Sequence, residues 1–107
     1  MRVQLRYFDD CPSWRLAAQR LEALRDEFDL DIQLEIVDTP EAAKRVGFHG
    51  SPSLLADGHD LFSAGDAEVG LTCRLYATAD GPAGCPTVDQ IRAQLIQRRD
   101  RNTGSPR

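Results

Sequence analysis

Cys11-Pro12-Ser13-Trp14 holds the residues best placed to do chemistry. The segment lies where the strand-like run Val3-Gln4-Leu5-Arg6-Tyr7-Phe8 hands over to a helical stripe that ends at Phe28. A cysteine at such a junction faces unpaired backbone N–H groups and the positive end of the helix dipole. That setting favours the nucleophilic thiolate, by about 0.3–1 kcal/mol. Asp9 and Asp10 oppose it by repulsion. The spacing is that of a Cys-x-x-Cys redox motif, with tryptophan in the fourth place. An attacking thiol is present, then, and its local resolving partner is missing. The alternative is an inert, half-buried cysteine.

Cys73 is a candidate resolver, on condition that its Cα comes within about 7 Å of that of Cys11. It also reads as a small apolar side chain in a short strand, Thr72-Cys73-Arg74-Leu75-Tyr76. Cys85, ahead of Pro86 and a helix start, reads as a loop or capping residue. Trp14 opens the helical stripe and is expected to pack on the sheet edge, with a lid or ligand-stacking role as the alternative. His49 and His59 sit in turns and are expected to be solvated. No Cys-x₂-Cys or His-x₃-His pair supplies zinc spacing, so no metal and no cofactor are expected.

These residues need a scaffold, and the 107-residue chain has the length for one domain with a modest core. Val3, Leu5 and Tyr7 alternate with polar residues as a strand does. Trp14, Ala17, Leu21, Leu24 and Phe28 follow at helical steps. Ile32, Leu34 and Ile36 mark a second strand, and Thr39-Pro40-Glu41 a short helix that Gly47 ends. Asp57-Gly58 joins two short strands in a tight hairpin. Residues 63–86 read as loop-rich. Thr87-Val88-Asp89-Gln90 is a capping box for the last helix, with Val88, Ile91 and Leu95 on its apolar stripe. Residues 99–107 read as a disordered tail. Gln4, Arg6, Gln33 and Glu35 leave one face of the first two strands polar, which implies a partly covered sheet.

The net charge of −4 and a pI near 5.0 argue against a nucleic-acid partner. No stretch approaches the roughly 18 apolar residues of a membrane span, and the first residues do not form a secretory signal. An odd number of cysteines suits a reducing compartment. A cytoplasmic protein with its thiols reduced at rest is the expectation.

The element order, a cysteine at the first strand-to-helix turn and Ser51-Pro52 before the third strand resemble the thioredoxin superfamily. More narrowly, Tyr7-Phe8-Asp9-Asp10-Cys11-Pro12-Ser13-Trp14, Gly50-Ser51-Pro52 and Gly70-Leu71-Thr72-Cys73-Arg74-Leu75-Tyr76 are similar to small bacterial thioredoxin-like, alkylmercury-lyase-like proteins common in actinobacteria. The resemblance implies a single α/β domain over residues 1–98, with 63–84 as an insertion. Its mixed sheet would have a parallel pair plus an antiparallel hairpin, flanked by helices. It also implies a cis peptide bond before Pro52, beside the reactive cysteine, and makes Pro12, Trp14, Ser51 and Pro52 the candidate substrate contacts.

Three functions follow as expectations. The leading one is thiol-based redox chemistry on a small-molecule thiol or a protein cysteine, with Cys11 attacking and Cys73 or an external thiol resolving. The second is thiolate attack on an organomercurial, with Asp9 or Asp10 as proton donor. The third is a non-catalytic module that binds a partner strand in the groove beside Pro52.

Overall fold

The alternating run at the N-terminus forms the strand around which the fold is built. In a computed structural model describing residues 1–62 and 69–103, with only the backbone for 101–103, β1 (Arg2–Tyr7) lies inside a four-stranded sheet. The chain continues through α1 (Ser13–Phe28), β2 (Asp31–Ile36), α2 (Pro40–Val46), β3 (Ser53–Ala56) and β4 (His59–Asp60). Then come β5 (Tyr76–Thr78), β6 (Gly81–Ala83) and α3 (Val88–Thr103). The strand order is β2-β1-β3-β4. β1 runs parallel to β2, with Leu5 opposite Leu34, and antiparallel to β3, with Leu5 opposite Leu54. The molecule is α/β with a mixed sheet, as the element order implied.

Local signals account for most boundaries. Thr39 caps α2 by accepting from the Ala42 N–H, and Gly47 ends that helix in the left-handed conformation. The α3 capping box forms in both directions, Thr87 N–H to Gln90 Oε1 at 2.9 Å and Gln90 N–H to Thr87 Oγ1 at 3.1 Å. Asp57 and Gly58 both take positive φ, 52° and 85°, as a tight hairpin between right-twisted strands requires.

One core forms where α1 and α3 cover the same sheet face. Val3, Leu5, Leu54 and Ala56 meet Leu21, Leu24 and Phe28 of α1 and Ile91 and Leu95 of α3. Each such leucine contributes about 1.5–3 kcal/mol through burial. The opposite face is mostly polar, with Leu55 buried on it, and among the described residues α2 reaches one end. There Arg6 Nε binds Glu35 at 2.6 Å and Arg6 Nη1 donates to the Val46 carbonyl of α2 at 3.2 Å. Val37, Ala43 and Phe48 form a smaller cluster. Gln33 is exposed, as a partly covered sheet predicts.

Several expectations change. Leu34 and Ile36 alternate correctly but are 53% and 47% exposed, because β2 is an edge strand and the helix-covered core reaches only Ile32. Residues 72–75 lie outside the strands, Cys73 making a parallel bridge to Ser51, and Tyr76 instead opens β5. The loop-rich region contains the hairpin β5–β6, turning at Ala79-Asp80 with Gly81 at φ 102°. α3 runs past Arg98 to Thr103, where composition alone suggests a tail. Residues 63–68 of the expected insertion, and 104–107 of the expected tail, lie outside the described residues.

Candidate functional site

β1 ends at Tyr7, and the Cys11 N–H donates to the Phe8 carbonyl at 2.9 Å, turning the chain into α1. Pro12 takes the N-cap position, and the Trp14 N–H reaches back to the Cys11 carbonyl at 3.5 Å. Cys11 therefore sits one residue before the cap of α1, as expected. Asp9 and Asp10 are exposed in the turn ahead of it. The cysteine itself is only 1% exposed.

Two other segments converge on it. The Ser51–Pro52 bond is cis, as the resemblance implied, and leads directly into β3. Against it runs the segment carrying Cys73. The Ser51 N–H donates to the Thr72 carbonyl, and the Arg74 N–H donates to the Ser51 carbonyl, both at 2.8 Å. Gly50, at φ 114°, makes this approach possible, since a Cβ there would lie 3.0 Å from the Arg74 Cβ. Cys73 is held between those two bonds and is joined to Cys11 by a disulfide, with Cα atoms 5.9 Å apart across 62 residues of sequence. Cys11 thus pairs with a cysteine from a distant part of the chain. Of the three cysteines expected to be reduced, only Cys85 is free.

The Ser51 carbonyl lies between the two cysteine-bearing segments. It accepts from Arg74 and lies 3.6 Å from the Cys11 sulfur. Ser51 is fully buried, and its Oγ has no hydrogen-bond partner among the described residues. Pro52 is held from behind, as the buried Tyr76 hydroxyl donates to its carbonyl at 2.6 Å. Burial pushes that phenol well above its ordinary range, despite the Arg74 charge beside it. The phenol therefore stays protonated and keeps donating.

Arg74 fixes the Cys73 segment. Its Nη1 binds Asp60 Oδ2 at 2.8 Å, its Nη2 donates to the Phe62 carbonyl at 2.6 Å, and its guanidinium lies over the Tyr76 ring at 4.9 Å. Arg74 and Tyr76 are buried while Cys73 and Leu75 are exposed, so the segment alternates as a strand would, bridged at Cys73 and entering β5 at Tyr76. Arg74, Asp60 and Tyr76 were not among the site residues read from sequence. Charged side chains such as Arg74 and Asp60 read as solvent-facing in sequence, and a buried arginine runs against the usual pattern.

Trp14 packs against the main core at the end of the sheet. Its ring stacks on Tyr7 at the end of β1, with centroids 4.1 Å apart, and Arg15 covers it at 5.0 Å. Its buried Nε1 has no hydrogen-bond partner among the described residues. Pro12 is exposed beside Cys11. Cys85 belongs to the core; Arg20 Nη1 lies 3.2 Å from its sulfur and donates to the Pro86 carbonyl at 2.7 Å. Burial pushes the Cys85 thiol up, with Arg20 pulling the other way. His59 is exposed in β4 and His49 is half-buried. Among the described residues no three His, Cys, Asp or Glu side chains gather as a metal site would require, and no helix is long and apolar enough to cross a membrane.

What the arrangement can do chemically is reversible disulfide formation between two cysteines, one shielded and one exposed, at the start of a helix. The chain matches no protein-family model, no curated protein and no solved structure.

Proposed function

We propose that this protein is a thioredoxin-like thiol–disulfide exchange protein, working through Cys11 and Cys73 on a small-molecule thiol or a protein cysteine. The pairing of these two residues across 62 positions carries the reading, because it restores the dithiol that Trp14 removes from the local motif. The β2-β1-β3-β4 order, the cysteine ahead of α1 and the cis bond before Pro52 support the same reading. A fixed dithiol beside a helix N-terminus exchanges readily, since one of its sulfurs leaves as a favoured thiolate.

The test is equilibration of the folded protein in glutathione buffers of graded reduced-to-oxidised ratio, followed by alkylation and mass measurement. The expected result is one two-electron transition at Cys11 and Cys73, complete within minutes to hours under native conditions. A bond that reacts only after unfolding would mark a structural staple and overturn the proposal.

A further inference from the structure

We infer that the two sulfurs divide the exchange in the order opposite to their order in sequence: Cys73 bonds the incoming thiol, and Cys11 is the shielded leaving and resolving group. This rests on the exchange function proposed above. It reverses the reading from sequence, in which Cys11 attacks.

Three observations carry it. First, Cys11 is 1% exposed, with its sulfur 3.6 Å from the Ser51 carbonyl, whereas Cys73 is exposed on the same outward side as Leu75, which is 73% exposed. Attack on a disulfide needs access to the sulfur that is struck. Second, the Cys73 segment is held by bonds that do not involve sulfur. These are the Ser51–Thr72 and Arg74–Ser51 backbone pairs, Arg74 to Asp60 and Phe62, and Tyr76 to Pro52. Reduction therefore leaves Cys73 over Cys11 and keeps Cys11 covered. Third, Cys11 lies just ahead of α1, whose first turn has no side-chain cap and no acidic residue. A negative charge released on its sulfur is stabilised there, the opposing Asp9 and Asp10 being exposed and screened by solvent, which makes it the better leaving group.

The step balances as follows. An external thiolate attacks the Cys73 sulfur, a new S–S bond forms to it, and the Cys73–Cys11 bond breaks with its electron pair on Cys11. A second thiol then attacks the external sulfur of the mixed disulfide. It releases an external disulfide and leaves both cysteines reduced, so two thiols are oxidised as one protein disulfide is reduced. In reverse, the Cys73 thiolate attacks an external disulfide and expels one half. Cys11 then attacks Cys73 and frees the other half.

The decisive experiment uses the unmodified protein. The oxidised form is mixed briefly with limiting reduced glutathione, quenched with acid, blocked with N-ethylmaleimide and mapped by peptide mass. Glutathione on Cys73 and maleimide on Cys11 are expected, with Cys73 adducts in excess on the order of tenfold. Glutathione found mainly on Cys11 overturns the assignment while leaving exchange intact. A native disulfide that accepts no glutathione at all overturns the exchange function and this inference with it. As a second measurement, Cys11→Ser treated with oxidised glutathione should hold a persistent adduct on Cys73. Cys73→Ser should acquire one on Cys11 more slowly, on the order of tenfold, and equal or faster reaction there also overturns the assignment.

Discussion

Arg74 and Asp60 meet at 2.8 Å with the arginine side chain only 6% exposed, and the residue beside that arginine is the exposed Cys73. The ion pair therefore acts as the anchor for a sulfur that has no strand of its own to hold it. Removing one member of a buried pair leaves the other unpaired, which costs about 3–5 kcal/mol when both are deeply buried.

Arg74→Met tests the anchor. The Asp60 side chain is 28% exposed and regains some water, so the expected loss falls below that range, at about 2–3 kcal/mol. The reduced variant should also re-form the Cys11–Cys73 bond more slowly than the parent. Urea unfolding and timed alkylation measure both. A loss under about 0.5 kcal/mol, with unchanged closure rate, would show that the backbone pairs to Ser51 suffice.

Reduction should destabilise the fold substantially. The disulfide links residues 62 apart, and loop-closure entropy for that span corresponds to about 4 kcal/mol. The urea midpoint should drop when the protein is treated with dithiothreitol, and Cys73→Ser should show no further drop. Because the Cys73 segment keeps its own hydrogen bonds, the reduced protein should still unfold cooperatively. Equal midpoints for the two redox forms would count against the linkage.

How far the sequence could be read depended on whether a signal was local. Caps, the Asp57-Gly58 turn and the apolar stripe of α1 arise from neighbouring residues, and each appears where the pattern places it. The meeting of Cys11 and Cys73 depends on a chain reversal that no spacing rule encodes, so sequence could pose the pair but not decide it. Arg74 was invisible for a different reason. A charged residue reads as exposed until Asp60, Phe62 and Tyr76, brought in by the fold, compensate its burial. Leu34 and Ile36 show the converse, where alternation names a face without telling whether any helix reaches it.

That contrast is measurable. Leu34→Lys should change stability by less than about 0.5 kcal/mol, since a half-exposed edge position gives up little buried area. Its β1 partner Leu5 is fully buried, and Leu5→Ala should cost about 2–5 kcal/mol. Chemical denaturation of the two variants compares them directly. A large loss at Leu34 would mean that something covers the β2 edge in solution.

Cys85 gives the last prediction, in alkaline pH. Its thiol is pushed up from an ordinary value of 9.0, chiefly because burial penalises the thiolate, while Arg20 pulls the other way. A group raised in the folded state holds its proton more tightly there than in the unfolded chain. Above the ordinary value, the unfolded state loses that proton first and is favoured. Stability is therefore complete below about pH 8 and declines as pH rises past 9, with a slope of at most about 1.4 kcal/mol per pH unit. In the oxidised protein Cys11 and Cys73 do not titrate, and Tyr76 has an ordinary value of 10.0, so Cys85 is the thiol that sets the slope between pH 8 and 9.5. Cys85→Ala should lower stability at neutral pH, yet flatten its decline over that window. Urea midpoints of the two oxidised proteins measured across it decide the matter. A decline of equal slope in the variant, or a rise in the parent, would place the titrating group elsewhere.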